Sequence, residues 1–103
     1  MPVPRADHRG SIHVRYFAVL RDLAGRKEDH LELAGGATVR EVMLRLVELR
    51  GVRFKEFLLT TDGKLRPGLT VLVNGEAVDH TTLDHAPVPD GSEVVIMPPV
   101  GGG

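Results

Sequence analysis

The chain has 103 residues, enough for one domain with a single hydrophobic core and no covalent staples. Apolar residues make up 42% and charged residues 26%, and a net charge of −1 from mixed signs leaves no footprint for nucleic acid or an anionic membrane. Cysteine is absent, which excludes disulfides, cysteine-held zinc or iron–sulfur clusters, and any thiol nucleophile.

The five histidines, His8, His13, His30, His80 and His85, show no helical ligand spacing beside a carboxylate, so no metal site is expected. There is no Ser/His/Asp signature, no phosphate-cradling glycine loop and no internal repeat. No apolar run reaches the length of a membrane span, and no apolar h-region follows Met1-Pro2-Val3-Pro4-Arg5, so a cytoplasmic location is expected.

Residues 1–10 are polar, with two prolines and a glycine, and are expected to form a flexible extension. From Ser11 the pattern alternates: Ile12, Val14, Tyr16 and Ala18 against His13, Arg15 and Phe17, a strand of period two. Leu20, Leu23 and Ala24 then fall at helical spacing over 18–24, with Gly25 placed for a left-handed C-terminal cap. After a charged turn at 26–29, Asp29 to Leu33 alternates again as a second strand, expected antiparallel to the first. Residues 34–37, Ala-Gly-Gly-Ala, read as a breaker.

Thr38-Val39-Arg40-Glu41 fits a capping box. Val39, Val42, Met43, Leu46, Val47 and Leu49 then form an apolar stripe at helical spacing, and Gly51 ends that helix. Phe54, Phe57 and Leu58 suggest a short helical turn. Residues 61–64 read as a turn, 69–73 as a strand, Asn74-Gly75 as a tight hairpin and 76–78 as a short returning strand. Asp79 to Pro89 reads as a polar loop anchored by Leu83, Asp90-Gly91 as a turn and Glu93 to Met97 as the last strand.

That last strand runs into Pro98-Pro99-Val100-Gly101-Gly102-Gly103. The prolines stiffen the exit and cannot donate to a sheet ladder. Glycines carry no Cβ and can thread a channel too narrow for other residues. The stretch is expected to present the Gly103 carboxylate on a narrow, flexible tether over 99–103, beyond a domain spanning 11–98.

The order strand, strand, helix, strand, short strand, loop, strand is the α+β arrangement of a ubiquitin-like β-grasp. It has a mixed four- to five-stranded sheet with one main helix on one face. The last strand should lie mid-sheet, parallel to the first, because Val94 to Met97 are apolar on both parities. Strand parity puts Ile12, Val14, Tyr16, Val71, Val73, Val94 and Ile96 under the helix. It puts Phe17, Leu72, Val95 and Met97 on the other face, where an exposed apolar cluster beside the tail marks a partner surface, unless 1–10 or 79–89 folds over it.

The chain resembles the MoaD/ThiS sulfur carriers, especially the MoaD branch, the molybdopterin synthase small subunit. The resemblance rests on Val14-Arg15-Tyr16-Phe17-Ala18 with Leu20-Arg21-Asp22-Leu23-Ala24-Gly25, on Thr38-Val39, on Val73-Asn74-Gly75, and on Asp90-Gly91-Ser92-Glu93-Val94 running to Pro98-Pro99-Val100 and the glycines. The extension over 1–10 departs from compact family members, and glycine after Val100 matches some ThiS-like tails.

The resemblance implies a carrier rather than a catalyst, with no bound cofactor. A ubiquitin-activating-type adenylating enzyme (MoeB/ThiF-like) would use ATP to join the Gly103 carboxylate to AMP. A sulfur donor, a sulfurtransferase or cysteine desulfurase, would convert that anhydride to a thiocarboxylate for molybdopterin synthesis. The molybdopterin synthase large subunit is then a further partner. Partner contacts are expected at Phe17, Leu72, Val95, Met97, Pro98, Pro99 and Val100, with Gly101, Gly102 and Gly103 as the tail. Thiamin or tRNA thiolation, ubiquitin-like conjugation of Gly103 to lysines, and a non-covalent β-grasp interaction domain remain as alternatives.

Overall fold

The structure, a computed structural model, describes residues 10–33, 37–79, 81–82 and 85–98. Strand β1 (Gly10–Tyr16) leads through a sharp corner into helix α1 (Val19–Ala24) and returns as β2 (Glu28–Leu33). Gly25 caps α1 at φ 75°, its N–H donating to the carbonyls of Arg21 and Asp22. Strand β3 (Ala37–Thr38) opens onto α2 (Val39–Arg50), and α3 (Val52–Leu58) follows directly. The remaining strands are β4 (Thr70–Val73), β5 (Glu76–Ala77), β6 (Pro87–Val88) and β7 (Glu93–Met97).

Five strands form one mixed sheet in the order β2-β1-β7-β4-β5. The last strand is central as expected: β7 runs parallel to β1, with Tyr16 opposite Ile96, and antiparallel to β4, with Val71 opposite Ile96. Helices α2 and α3 supply the other half of the core. Val39, Val42, Met43, Leu46, Phe54 and Leu58 are buried against Ile12, Val14, Tyr16, Val71, Val94 and Ile96, and Val73 packs half-buried at the margin. The parity assignment of the helix-covered face therefore holds throughout.

The capping box forms. Thr38 Oγ1 accepts from the Glu41 amide at 3.2 Å, and Glu41 Oε1 accepts from the Thr38 amide at 2.8 Å. Asn74 (φ 51°) and Gly75 (φ 85°) close the β4–β5 hairpin with the two left-handed residues that a tight turn needs. Asn74 does a second job: its Oδ1 accepts from the Glu93 amide at 2.9 Å and its Nδ2 donates to Ser92 Oγ at 3.1 Å, pinning the hairpin to the start of β7.

Several expectations need correction. Phe54, Phe57 and Leu58 belong to a seven-residue helix rather than a single turn. Leu49 is exposed, because the inward position of the last α2 turn goes to Arg50, whose guanidinium reaches Asp29. Ala37, read as part of a breaker, pairs with Val88 in a second, two-stranded sheet; the rest of that breaker, 34–36, lies outside the described residues. The loop over 79–89 accordingly contains β6, and Val88 is buried in it. The Val39 amide donates to the carbonyl of Ala86 at 2.9 Å, so the residue just before β6 also satisfies a free donor at the start of α2. Leu83, the expected anchor, lies outside the described residues, as do residues 1–9 of the extension; Gly10 is already in β1, opposite Leu33.

Candidate tail exit and docking face

The candidate site is built on the end of β7. Two register rows cross the outer face of the sheet there. Arg15, Val95, Leu72 and Ala77 form one, on β1, β7, β4 and β5. Met97 and Thr70 form the other, and Phe17 follows directly after the end of β1 on the same side. The four apolar residues expected to share this face thus lie on the same side, Val95, Met97 and Leu72 on the adjacent strands β7 and β4 and Phe17 just past the end of β1.

Their exposure differs. Phe17 is 41% exposed, Leu72 and Met97 are half-buried, and Val95 is only 9% exposed. The last value corrects the expectation of an exposed Val95. Val95 is no part of the helix-side core; it sits in the middle strand, with Arg15 and Leu72 opposite it on either side. Pro98, half-buried, is the last described residue, and Pro99, Val100, Gly101, Gly102 and Gly103 lie outside the described residues.

Cations rim the apolar face, a feature that sequence patterning did not bring out. Arg15 holds its guanidinium 5.8 Å from the centre of the Phe17 ring and lies 3.5 Å from Glu93 Oε2. A pocket of about 140 Å³ beside it is lined by Arg15, Tyr16, Phe17, Arg21, Lys27 and Glu28. Its three cations come from β1, α1 and the turn before β2, which become neighbours only on folding. The corner that turns Phe17 outward is strained: Ala18 has φ 55° and ψ −130°, a conformation normally left to glycine. Across β1 and β2 the same face turns polar. His13 and His30 stack at 4.5 Å between ring centres, and His13 bonds Glu28, holding that carboxyl below its usual range.

Beneath the exit lies a buried polar cluster. Tyr16 Oη donates to Asp29 Oδ2 at 2.5 Å, and Arg26 Nη1 donates to Asp29 Oδ1 at 3.0 Å. Arg50 reaches the same carboxylate, with Nη2 donating to Oδ1 at 3.4 Å and Nε 3.3 Å from Oδ2. Arg50 Nη1 also donates to the carbonyl of Ala24, the last residue of α1. Burial, then the hydrogen bond to Asp29, push the Tyr16 phenol well above its ordinary value, so it stays protonated and donating. Tyr16 packs edge-on against Phe54 with ring centres 5.4 Å apart. The cluster locks the end of β1, and β1 flanks the end of β7.

Among the described residues no group of three or more His, Asp or Glu side chains could hold a metal, and no helix is long and apolar enough to cross a membrane.

A mixed sheet with a central, parallel final strand, gripped by helices on one face, defines a ubiquitin-like β-grasp protein. The family model described as the ThiS family matches residues 14–103, and the chain belongs to this family of ubiquitin-like sulfur carriers. It is 33% identical over 93 residues to small archaeal modifier protein 3 of Haloferax volcanii, a match covering 89% of this chain and 98% of that protein. The crystal structure of the small archaeal modifier SAMP1 from Haloferax volcanii matches with a TM-score of 0.79 and 32% identity, covering 91% of this chain and all of that one (100%). A putative molybdopterin converting factor, subunit 1, from Pyrococcus furiosus matches with a TM-score of 0.70 and 30% identity, covering 88% and 99%.

Proposed function

We propose that the chain is a sulfur carrier whose Gly103 carboxylate is adenylated and then converted to a thiocarboxylate. The observation that carries this is the placement of β7: the strand that leads to the glycines is the rigid centre of the sheet, and it ends beside an apolar, cation-rimmed face. A carboxylate is a poor acyl donor. An adenylating partner joins it to AMP from ATP with release of pyrophosphate, giving a mixed anhydride. The terminal sulfur of a donor's persulfide then displaces AMP, and a thiol reduces the S–S bond of the resulting acyl persulfide to free the thiocarboxylate. Gly101, Gly102 and Gly103 enter the partner's active site, while Phe17, Leu72, Met97 and Pro98 dock against it. The chain itself contributes the reacting carboxylate and no catalytic side chain, and it binds no cofactor.

Molybdopterin synthesis is the destination we favour, with the synthase large subunit as second partner; likeness to the Pyrococcus furiosus protein supports it. A second reading, conjugation of Gly103 to lysines, is favoured by the likeness to the archaeal modifiers. One experiment separates them. The purified chain is incubated with an adenylating enzyme of the MoeB/ThiF type, ATP and a sulfurtransferase with its sulfur source, and its intact mass is measured. Replacement of one oxygen by sulfur supports the carrier. High-mass conjugates resistant to denaturation support the modifier. An unchanged mass with no conjugates overturns both and leaves a non-covalent interaction domain.

A further inference from the structure

A groove on the helical side of the domain has no part in the face described above. It is open to solvent, holds about 450 Å³, and is floored by Leu23 of α1, Phe57 of α3, and Pro67 and Leu69 of the segment leading into β4. That volume falls in the range of about 300–1,000 Å³ typical of ligand sites. Arg53, Glu56 and Arg66 stand around it.

The charges in the groove are unbalanced. Arg66 commits its Nε to the carbonyl of Glu56 at 2.6 Å, which fixes the guanidinium across the end of α3. The Arg53 side chain forms no hydrogen bond or ion pair among the described residues, and no ion pair among them joins Glu56 to either arginine. Two guanidinium groups thus face one carboxylate over an apolar floor. A guanidinium is a rigid fork that binds carboxylates in pairs of hydrogen bonds, so the unmet demand is for an anion of that shape.

We infer that this groove docks an acidic peptide segment of a protein partner, one apolar side chain lying on Leu23, Phe57 and Leu69 while a flanking Asp or Glu meets Arg53 and Arg66. Leu69 adjoins Thr70, the register partner of Met97, so the groove opens at the end of the sheet from which the chain leaves. A partner engaging that end from the helical side would reach it. The docking does not depend on any chemistry at Gly103.

The test is a titration of the full chain, followed by amide NMR, with the capped peptide Glu-Asp-Leu-Phe-Glu and with a control in which lysine replaces the three acidic residues. The acidic peptide should shift the amides of Arg53, Phe57 and Leu69 and leave Glu32 on the far edge strand unmoved. Arg53→Glu, an exposed change, should weaken binding by about tenfold or more with the folded spectrum intact, and Arg66→Gln should weaken it in the same direction. The inference is overturned if neither peptide binds, if the lysine peptide binds as well, if Arg53→Glu binds equally, or if the shifts fall on the outer sheet face. It is also overturned if deleting Gly103 alone moves the groove amides, since the occupant would then be the chain's own tail.

Discussion

At the residue scale, Asp29 carries the most strain on expectation. It shares strand parity with Leu31 and Leu33, so it points inward, and it is 6% exposed. Its partners Tyr16, Arg26 and Arg50 come from three different segments, so alternation could place the carboxylate inside but not say what meets it. Tyr16→Phe removes a hydrogen bond to a buried charge and should lower stability by about 2 kcal/mol in denaturant unfolding. The pH dependence has a definite sign. Folding raises the phenol's pKa, so its contribution is complete below the ordinary tyrosine value of about 10 and is lost as pH rises above it, where the unfolded chain releases a proton the folded chain keeps. Tyr16 is the single tyrosine, so phenolate absorbance reads it directly and should appear only with alkaline unfolding. Phe17 was legible from period two alone. Phe17→Asp should weaken binding to the adenylating partner by about 2 kcal/mol, measured calorimetrically, with little change in melting temperature. The burial of Val95 was not legible, because period two assigns a residue to a face but not how far that face is covered.

At the scale of elements, local chemistry announced itself wherever a signal needs only neighbouring residues. Thr38 and Glu41 cap α2, Gly25 ends α1, and Asn74-Gly75 turns the hairpin, all as their spacing implies. Strands β3 and β6 escaped notice because two residues have no period; they exist through pairing across some fifty positions of sequence, Ala37 with Val88. The cross-link from Asn74 to Ser92 and Glu93 is likewise tertiary. It can be isolated, since glycine keeps the left-handed turn while deleting the side chain. Asn74→Gly should therefore cost about 1–2 kcal/mol in chemical denaturation and leave the strand register unchanged, as cross-strand contacts in NMR would show.

At the scale of the whole molecule, the arrangement was readable because a strand apolar on both parities belongs in the middle of a sheet, and β7 is there. The cationic rim and the Arg53–Arg66 groove were not, since their charges are scattered along the chain and meet only in three dimensions. The proposed role of Gly103, beyond the sheet, leads to a sharp expectation. Removing Gly103 should abolish thiocarboxylation, read by intact mass, because attack geometry is sensitive to displacement of about an ångström. The same deletion should leave the melting temperature unchanged.

The central position of β7 also bears on synthesis. Strand β1 emerges first and β4 much later, yet neither has its inner neighbour until the final strand is made. Val94 and Ile96, fully buried between them, complete the core at that moment. Long-range closure of this kind makes folding wait on the last segment. A polypeptide cut short before β7 therefore has no completed sheet. Under the proposed activation, a partner that docks on the outer face of the completed sheet would meet only chains made through β7 and folded around it, so the topology itself would screen out shorter products.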